Sequence, residues 1–241
     1  MHDCDEGKKL KITLDTFIIA DTHFGHKAVL KKEPSRNLTL ENTSFRDFDE
    51  LSIAWWNEEV KEKDSVLHLG DLYFHRGYEL LNRLNGKKKM LIMGNNDIGK
   101  CEKLENWKIV DKIKFKIKDK LYYKKALKKR WGSELQNPYA TALITEVDNV
   151  RILFSHFPVD ERRKNDKHWR ARDLIDFAYH LADCELNVHG HIHSRDSKHH
   201  YCFNASTEKL NFRPRKLKEI LFEWNNNCAS NMLKQMEARS S

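Results

Sequence analysis

Three short apolar runs each stop at an oxygen donor, and this recurrence constrains the fold more than any other feature of the chain. Thr16-Phe17-Ile18-Ile19-Ala20 runs into Asp21, Ser65-Val66-Leu67-His68-Leu69 into Gly70-Asp71, and Met90-Leu91-Ile92-Met93 into Gly94-Asn95-Asn96-Asp97. Uninterrupted runs of this length read as strands buried on both faces, which belong to a sheet covered by helices. A side chain at the C-terminal mouth of such a strand is held by the sheet, while the loop beyond it shapes a cleft. Asp21-Thr22-His23 alone is a weak signal, because Asp-x-His tripeptides are common. A strand, loop and helix rhythm does not by itself put a metal-competent side chain at every mouth.

The remaining pattern completes an α/β chain. Residues 1–14 are a polar lead-in, and residues 26–43 read as loop. Residues 45–60 carry apolar groups at helical spacing, with Thr43 or Ser44 available as a cap. Residues 78–84 predict a short helix that Asn85-Gly86 stops. In residues 112–118 lysine alternates strictly with apolar residues, and Lys124, Lys125, Lys128, Lys129 and Arg130 extend the positive field. This segment reads either as a lysine-protected edge strand with a solvated helix or as the wall of a phosphate-binding groove. Residues 131–139 read as loop, and 141–154 as a hairpin turning at Asp148-Asn149 that delivers Ser155-His156. A helix over 172–182 precedes a strand at 186–188, which opens onto His189-Gly190-His191-Ile192-His193. On extended backbone His191 and His193 would point the same way. Residues 201–205 and 217–224 read as further strands, ahead of a polar tail.

At 241 residues the chain is long enough to bury a core as one α/β domain over 1–241. Its five cysteines are odd in number, scattered and never in Cys-x-x-Cys spacing, so neither a disulfide framework nor a zinc knuckle is expected. With no apolar run near the roughly 20 residues that span a bilayer, and no leader-like N-terminus, the expectation is a soluble cytoplasmic protein. A net charge of +8 favours polyanionic partners such as nucleic acid or phosphorylated substrates.

Collected, Asp21, His23, Asp71, Asn95, His156, His191 and His193 are seven nitrogen and oxygen donors without a cysteine. Such a set suits two divalent transition ions better than calcium, magnesium or structural zinc. The blocks Asp21-Thr22-His23, Gly70-Asp71, Gly94-Asn95-Asn96-Asp97, Ser155-His156 and Gly190-His191-Ile192-His193 resemble, in order and spacing, the calcineurin-like metallophosphoesterase superfamily. The resemblance covers residues 16–207, and Asp21-Thr22-His23-Phe24-Gly25-His26 is similar to its small bacterial and bacteriophage members.

The resemblance implies a four-layer α/β/β/α sandwich with two mixed sheets, a basic insertion over about 108–140 and a C-terminal strand and tail over 213–241. It implies that Asp21, His23 and His193 hold one metal, that Asn95, His156 and His191 hold the other, and that Asp71 bridges them. Manganese is the foremost expectation, with iron, nickel or zinc as alternatives. Two such ions acidify a shared water and clamp phosphoryl oxygens through an in-line displacement.

The chain departs from the family pattern at Asn96, where a histidine often stands and is thought to protonate the leaving oxygen. An amide donates a hydrogen bond but supplies no proton. His75 and His26 are the candidates to replace it, and Asp97 is expected to orient a neighbour. Arg162, Arg163 and His168, with Trp169, could hold a phosphate and stack a base, or form only a solvated loop. The charge field favours a phosphodiester substrate, a nucleotide or nucleic acid. A phosphomonoesterase and a non-catalytic scaffold on the same fold are the alternatives.

Overall fold

The structure is a computed structural model that describes residues 11–161 and 165–240. Its first sheet has the order β10-β1-β2-β3-β4, in which β1 (Phe17–Ile19), β2 (Ser65–His68), β3 (Lys88–Ile92) and β4 (Trp107–Val110) run parallel. The short β10 (Arg215–Lys216) closes the β1 edge antiparallel. The second sheet, of β5 (Ile113–Lys116), β6 (Ala142–Val147), β7 (Val150–Ser155), β8 (Leu186–His189) and β9 (Cys202–Asn204), is mixed, because the β6–β7 hairpin reverses direction between parallel neighbours.

Side-chain alternation along the second sheet builds the layers. Leu143, Ile152, Phe154 and Val188 face the first sheet, whereas Ala142, Ile144 and Leu153 face α5 (Trp169–Leu181) and α4 (Lys120–Trp131) through Leu174, Ile175 and Leu127. On the outside of the first sheet, α3 (Phe48–Glu59) contributes Ile53 and Trp56, and α6 (Leu217–Ser240) contributes Leu217, Ile220 and Leu221. The result is the expected α/β/β/α sandwich with two mixed sheets.

Several local expectations change. Residues 217–224, expected as a strand, are the first turns of α6: Leu217, Ile220 and Leu221 are buried at i, i+3 and i+4 while Phe222 is 71% exposed, so the period is helical. Only Arg215–Lys216 keeps strand pairing at this end. The supposed loop over 26–43 folds into α1 (Val29–Lys32) and α2 (Pro34–Glu41), the latter opened by a proline at its first position. Asp47, rather than Thr43 or Ser44, caps α3 by accepting from Asp49 N (2.8 Å) and Glu50 N (3.1 Å). The helix expected over 78–84 is a 3₁₀ helix, His75–Arg83, and residues 132–136 of the expected 131–139 loop form another.

The region 108–140, expected as a basic insertion, carries elements of both sheets. It ends the first sheet with β4, crosses to the second with β5, and returns over it as α4. No helix among the described residues is long and apolar enough to cross a membrane.

Candidate metal centre

The two sheets are stitched together where β1 ends. Ala20 N donates to Ala205 O (2.8 Å) and Ala20 O accepts from Thr207 N (2.9 Å), which brings the Asp21 mouth against the segment following β9. Next to it, Asp21 N donates to Gly70 O (3.0 Å) and His23 N to Asp71 O (3.1 Å), so the mouths of β1 and β2 are fastened together.

All seven donors converge there. His23 Nε2 lies 3.9 Å from Asp21 Oδ1 and 3.7 Å from Asp71 Oδ2, and His193 Nε2 lies 4.0 Å from Asp21 Oδ1. On the other side of Asp71, His156 Nε2 is 3.6 Å from Asp71 Oδ1, 3.1 Å from Asn95 Oδ1 and 3.2 Å from His191 Nδ1. His191 and His193 do not converge through extended backbone as expected. They sit at φ 71° and 53°, and the left-handed turn sends them to opposite sides of the cluster. Asp21, His23 and Asp71 also have positive φ (56°, 54° and 57°), a conformation costing about 1–3 kcal/mol at a non-glycine residue, so the fold spends stability to aim these side chains.

The cluster suits cations. Asp21 Oδ1 and His23 Nε2 are buried without a hydrogen-bond partner. Unpaired buried polar atoms facing one another are costly unless a positive group lies between them. Donors held about 2.1 Å from a shared ion lie about 3 to 4 Å apart, as these do. Asp21, His23 and His193 form one group with mutually close donor atoms, and Asp21, Asp71 and His156 form another. A third group, Glu33, His193 and Glu208, shares His193, but Glu208 Oε1 is already engaged by Arg36.

Burial sets the protonation states. It pushes His23 and His191 well below their ordinary value and lowers His156 despite the Asp21 charge, leaving neutral imidazoles, the form that ligates metal. Burial also raises Asp21 to about 6, against the pull of His193 and His156, and raises Asp97 to about 6 with help from Asp71. His193 is the exception: burial lowers it, but Asp21 and Glu208 outweigh burial and raise it to about 9. The field that holds a proton there also attracts a cation facing Asp21.

The other expected residues divide. Asn96 donates to both oxygens of Asp71, from its backbone N (2.9 Å) to Oδ1 and from its amide to Oδ2, so it fixes the carboxylate between the two groups. Asp97 accepts from Asp71 N (2.7 Å), Leu72 N (3.0 Å) and Gly94 N (2.7 Å), clamping two mouths together. His26 Nδ1 lies 3.4 Å from His23 Nδ1, and its ring stacks on Phe74 at 3.9 Å. His75 is exposed in the turn beyond Phe74, 6.4 Å from that ring, and is not brought to the donors. His168 packs against Tyr139 (4.4 Å) and Phe157 (5.5 Å), and the Phe157 ring lies 4.7 Å from that of His191. Arg162 and Arg163 lie outside the described residues.

Sequence reasoning missed the groups behind the donors. Arg36 is fully buried and donates to Asp21 O (2.6 Å), Thr22 O (3.0 Å) and twice to Glu208 Oε1 (2.8 and 2.5 Å). Glu208 faces His193 Nδ1 at 3.0 Å, and Ser206 Oγ donates to Asp21 Oδ2 at 2.9 Å. None of the three belongs to a motif. An arginine in a stretch otherwise read as exposed loop was the only available signal.

The model of the family described as calcineurin-like phosphoesterase matches residues 15–195. The uncharacterised protein MJ1445 of Methanocaldococcus jannaschii is 35% identical over 89 residues, covering 34% of this chain; the match spans 46% of that relative's length. Among solved structures, AQ665 from Aquifex aeolicus, a protein of unknown function, shares the fold with a TM-score of 0.58, covering 85% of this chain and 96% of its own at 23% identity. A structure described as a novel archaeal phosphodiesterase covers 79% of this chain and 81% of its own at 14% identity, with a TM-score of 0.34 that carries no argument.

Proposed function

Because the chain belongs to the calcineurin-like phosphoesterase family, we propose that it is a dinuclear metal-dependent phosphodiesterase acting on a nucleotide or nucleic acid. In this reading Asp21, His23 and His193 hold one ion and Asn95, His156 and His191 the other. The observation that carries it is the position of Asp71, whose two oxygens face His23 at 3.7 Å and His156 at 3.6 Å, one towards each group. When bound, two divalent cations supply an acidified water and neutralise the phosphoryl oxygens. The donor set accepts manganese, our first choice, as well as iron, nickel or zinc.

The protein's own groups account for the rest. Asn96 and Asp97 hold Asp71 and its loop in place. A His23 that offers its Nε2 lone pair carries its proton on Nδ1 and donates it to His26 Nδ1, which leaves His26 an N–H on Nε2. We assign His26 the task Asn96 cannot perform, delivery of a proton to the leaving oxygen; it does so as imidazolium, with the His23 contact broken, a form that burial and Lys32 disfavour by lowering its pKa.

The engagement of Arg36 supports the diester reading. Its guanidinium, the group best suited to clamp a dianionic monoester, is committed to Glu208 and two backbone carbonyls. The test is hydrolysis of bis(p-nitrophenyl) phosphate and p-nitrophenyl phosphate by metal-loaded protein. Diester turnover that Asp71→Asn abolishes supports the reading, and turnover of the monoester alone overturns it.

A further inference from the structure

A groove of about 1030 Å³ runs along the free edge of the second sheet, between β5 and α4. Seven lysines line it against one acid, Glu146, and its floor is apolar, with Phe115, Leu127 and Leu174. The lysines form two rows. Lys114 and Lys116 alternate on β5, about 6.6 Å apart by strand geometry, with Lys112 just before the strand, and Lys114 is paired with Asp111 at 3.1 Å. Lys120, Lys124 and Lys128 recur every fourth residue on α4, about 6 Å apart by helix geometry. All three α4 lysines are exposed, and none makes an ion pair among the described residues.

Protection of an edge strand against aggregation would account for the β5 row. It does not account for the α4 row, which lies on no edge. One turn borders both this groove and a cavity next to the metal centre. Leu135 lines the groove from the 3₁₀ turn Gly132–Gln136, and the same turn gives Ser133, Glu134 and Gln136 to a second cavity of about 600 Å³ that contains Lys167, His168 and Arg170, the last paired with Glu134 at 3.3 Å. From there His168, Phe157 and His191 form a chain of ring contacts at 5.5 and 4.7 Å.

We propose that the β5–α4 groove docks single-stranded nucleic acid, with phosphates along the α4 lysines and bases over the apolar floor, and directs it to the metal centre. The proposal deepens the phosphodiesterase reading and rests on it for the reaction, though not for the binding. An acidic peptide adding a strand to β5 fits less well. β5 offers only four residues of edge, whereas the α4 lysine row lies on a helix of twelve residues. The second cavity also presents Trp169, 51% exposed, with the Arg170 guanidinium 5.2 Å from its ring centroid, a cation and aromatic pair suited to a phosphate and an adjoining base.

The experiment is fluorescence anisotropy of a labelled single-stranded oligonucleotide with the full chain, across a salt series. It compares wild type, Lys120→Gln/Lys124→Gln/Lys128→Gln and the matching triple Lys→Arg variant. The glutamine variant is expected to bind at least about tenfold more weakly at low salt, with a log–log salt slope shallower by about 2 for three lost phosphate contacts. The arginine variant is expected to retain wild-type binding. Equal affinity and slope in wild type and glutamine variant overturn the proposal. So does a poly-glutamate of matched charge that binds wild type more tightly than the oligonucleotide, a result that would assign the groove to acidic polypeptide. Lysine-dependent binding by a wild-type protein that cleaves no diester supports the groove while overturning the phosphodiesterase reading, so the two failures are distinct.

Discussion

Glu208 Oε1 lies 3.0 Å from His193 Nδ1 and takes two hydrogen bonds from Arg36, so a residue outside every motif sets the direction in which His193 presents its Nε2. A carboxylate behind a ligating imidazole fixes its tautomer and raises its basicity. Glu208→Gln is therefore expected to weaken metal binding by about 10- to 100-fold. Competition against a chromogenic chelator checks this. A purely structural role would lower the melting temperature of the metal-free protein and leave the affinity unchanged.

Arg36 tests a different property, stability. Both partners of its ion pair with Glu208 are almost fully buried, and Arg36→Met leaves the buried carboxylate without its guanidinium, facing His193 alone across 3.0 Å. Breaking a buried pair from one side costs about 3–5 kcal/mol. In a chain of this size that corresponds to a fall of about 6–20 °C in Tm, read by thermal denaturation at saturating metal.

His26→Gln separates leaving-group protonation from the other steps. A positioned general acid contributes about 10²- to 10⁴-fold where the leaving group is an alkoxide. The expected outcome is a loss of that order for an alkyl or nucleoside diester, and little change for a nitrophenyl diester, whose leaving group needs no proton. Equal losses on both substrates would remove His26 from that role.

Gly190 is the point where the second sheet's histidine loop meets the first sheet. A Cβ there would lie 2.5 Å from Asp21 Oδ2 and 2.6 Å from Ala20 Cβ. Gly190→Ala is expected to destabilise the fold by about 1–3 kcal/mol through overpacking and to displace Asp21. Melting curves with and without metal should show the variant losing most of the metal-dependent rise in Tm.

The parts legible in the sequence were those whose physics is local. Asp21, Asp71 and Asn95 each follow an apolar run that can only be a buried strand, and the Asp148-Asn149 turn, with φ of 54° and 62°, marks the β6–β7 hairpin as its residue types imply. The layer order was legible through the resemblance rather than through periodicity. Non-local features were hidden. Arg36 and Glu208 are 172 positions apart, and nothing near either one announces the pair. The left-handed backbone at His191 and His193 is imposed by the site and contradicts the extended reading that alternation favoured. α6 was misread because residues 217–224 are rich in large apolar groups, and only burial tells Leu217, Ile220 and Leu221 apart from the exposed Phe222.

Two ions that share Asp71 are expected to support diester hydrolysis together. The direct measurement is the rate of bis(p-nitrophenyl) phosphate hydrolysis by metal-stripped protein as manganese is added in known equivalents, with bound metal counted in parallel. The expected result is two ions per chain, turnover that rises steeply with the second equivalent, and loss of both the second ion and the turnover in Asp71→Asn. Full activity at one ion per chain, or an Asp71→Asn variant that binds two ions and turns over normally, would contradict it.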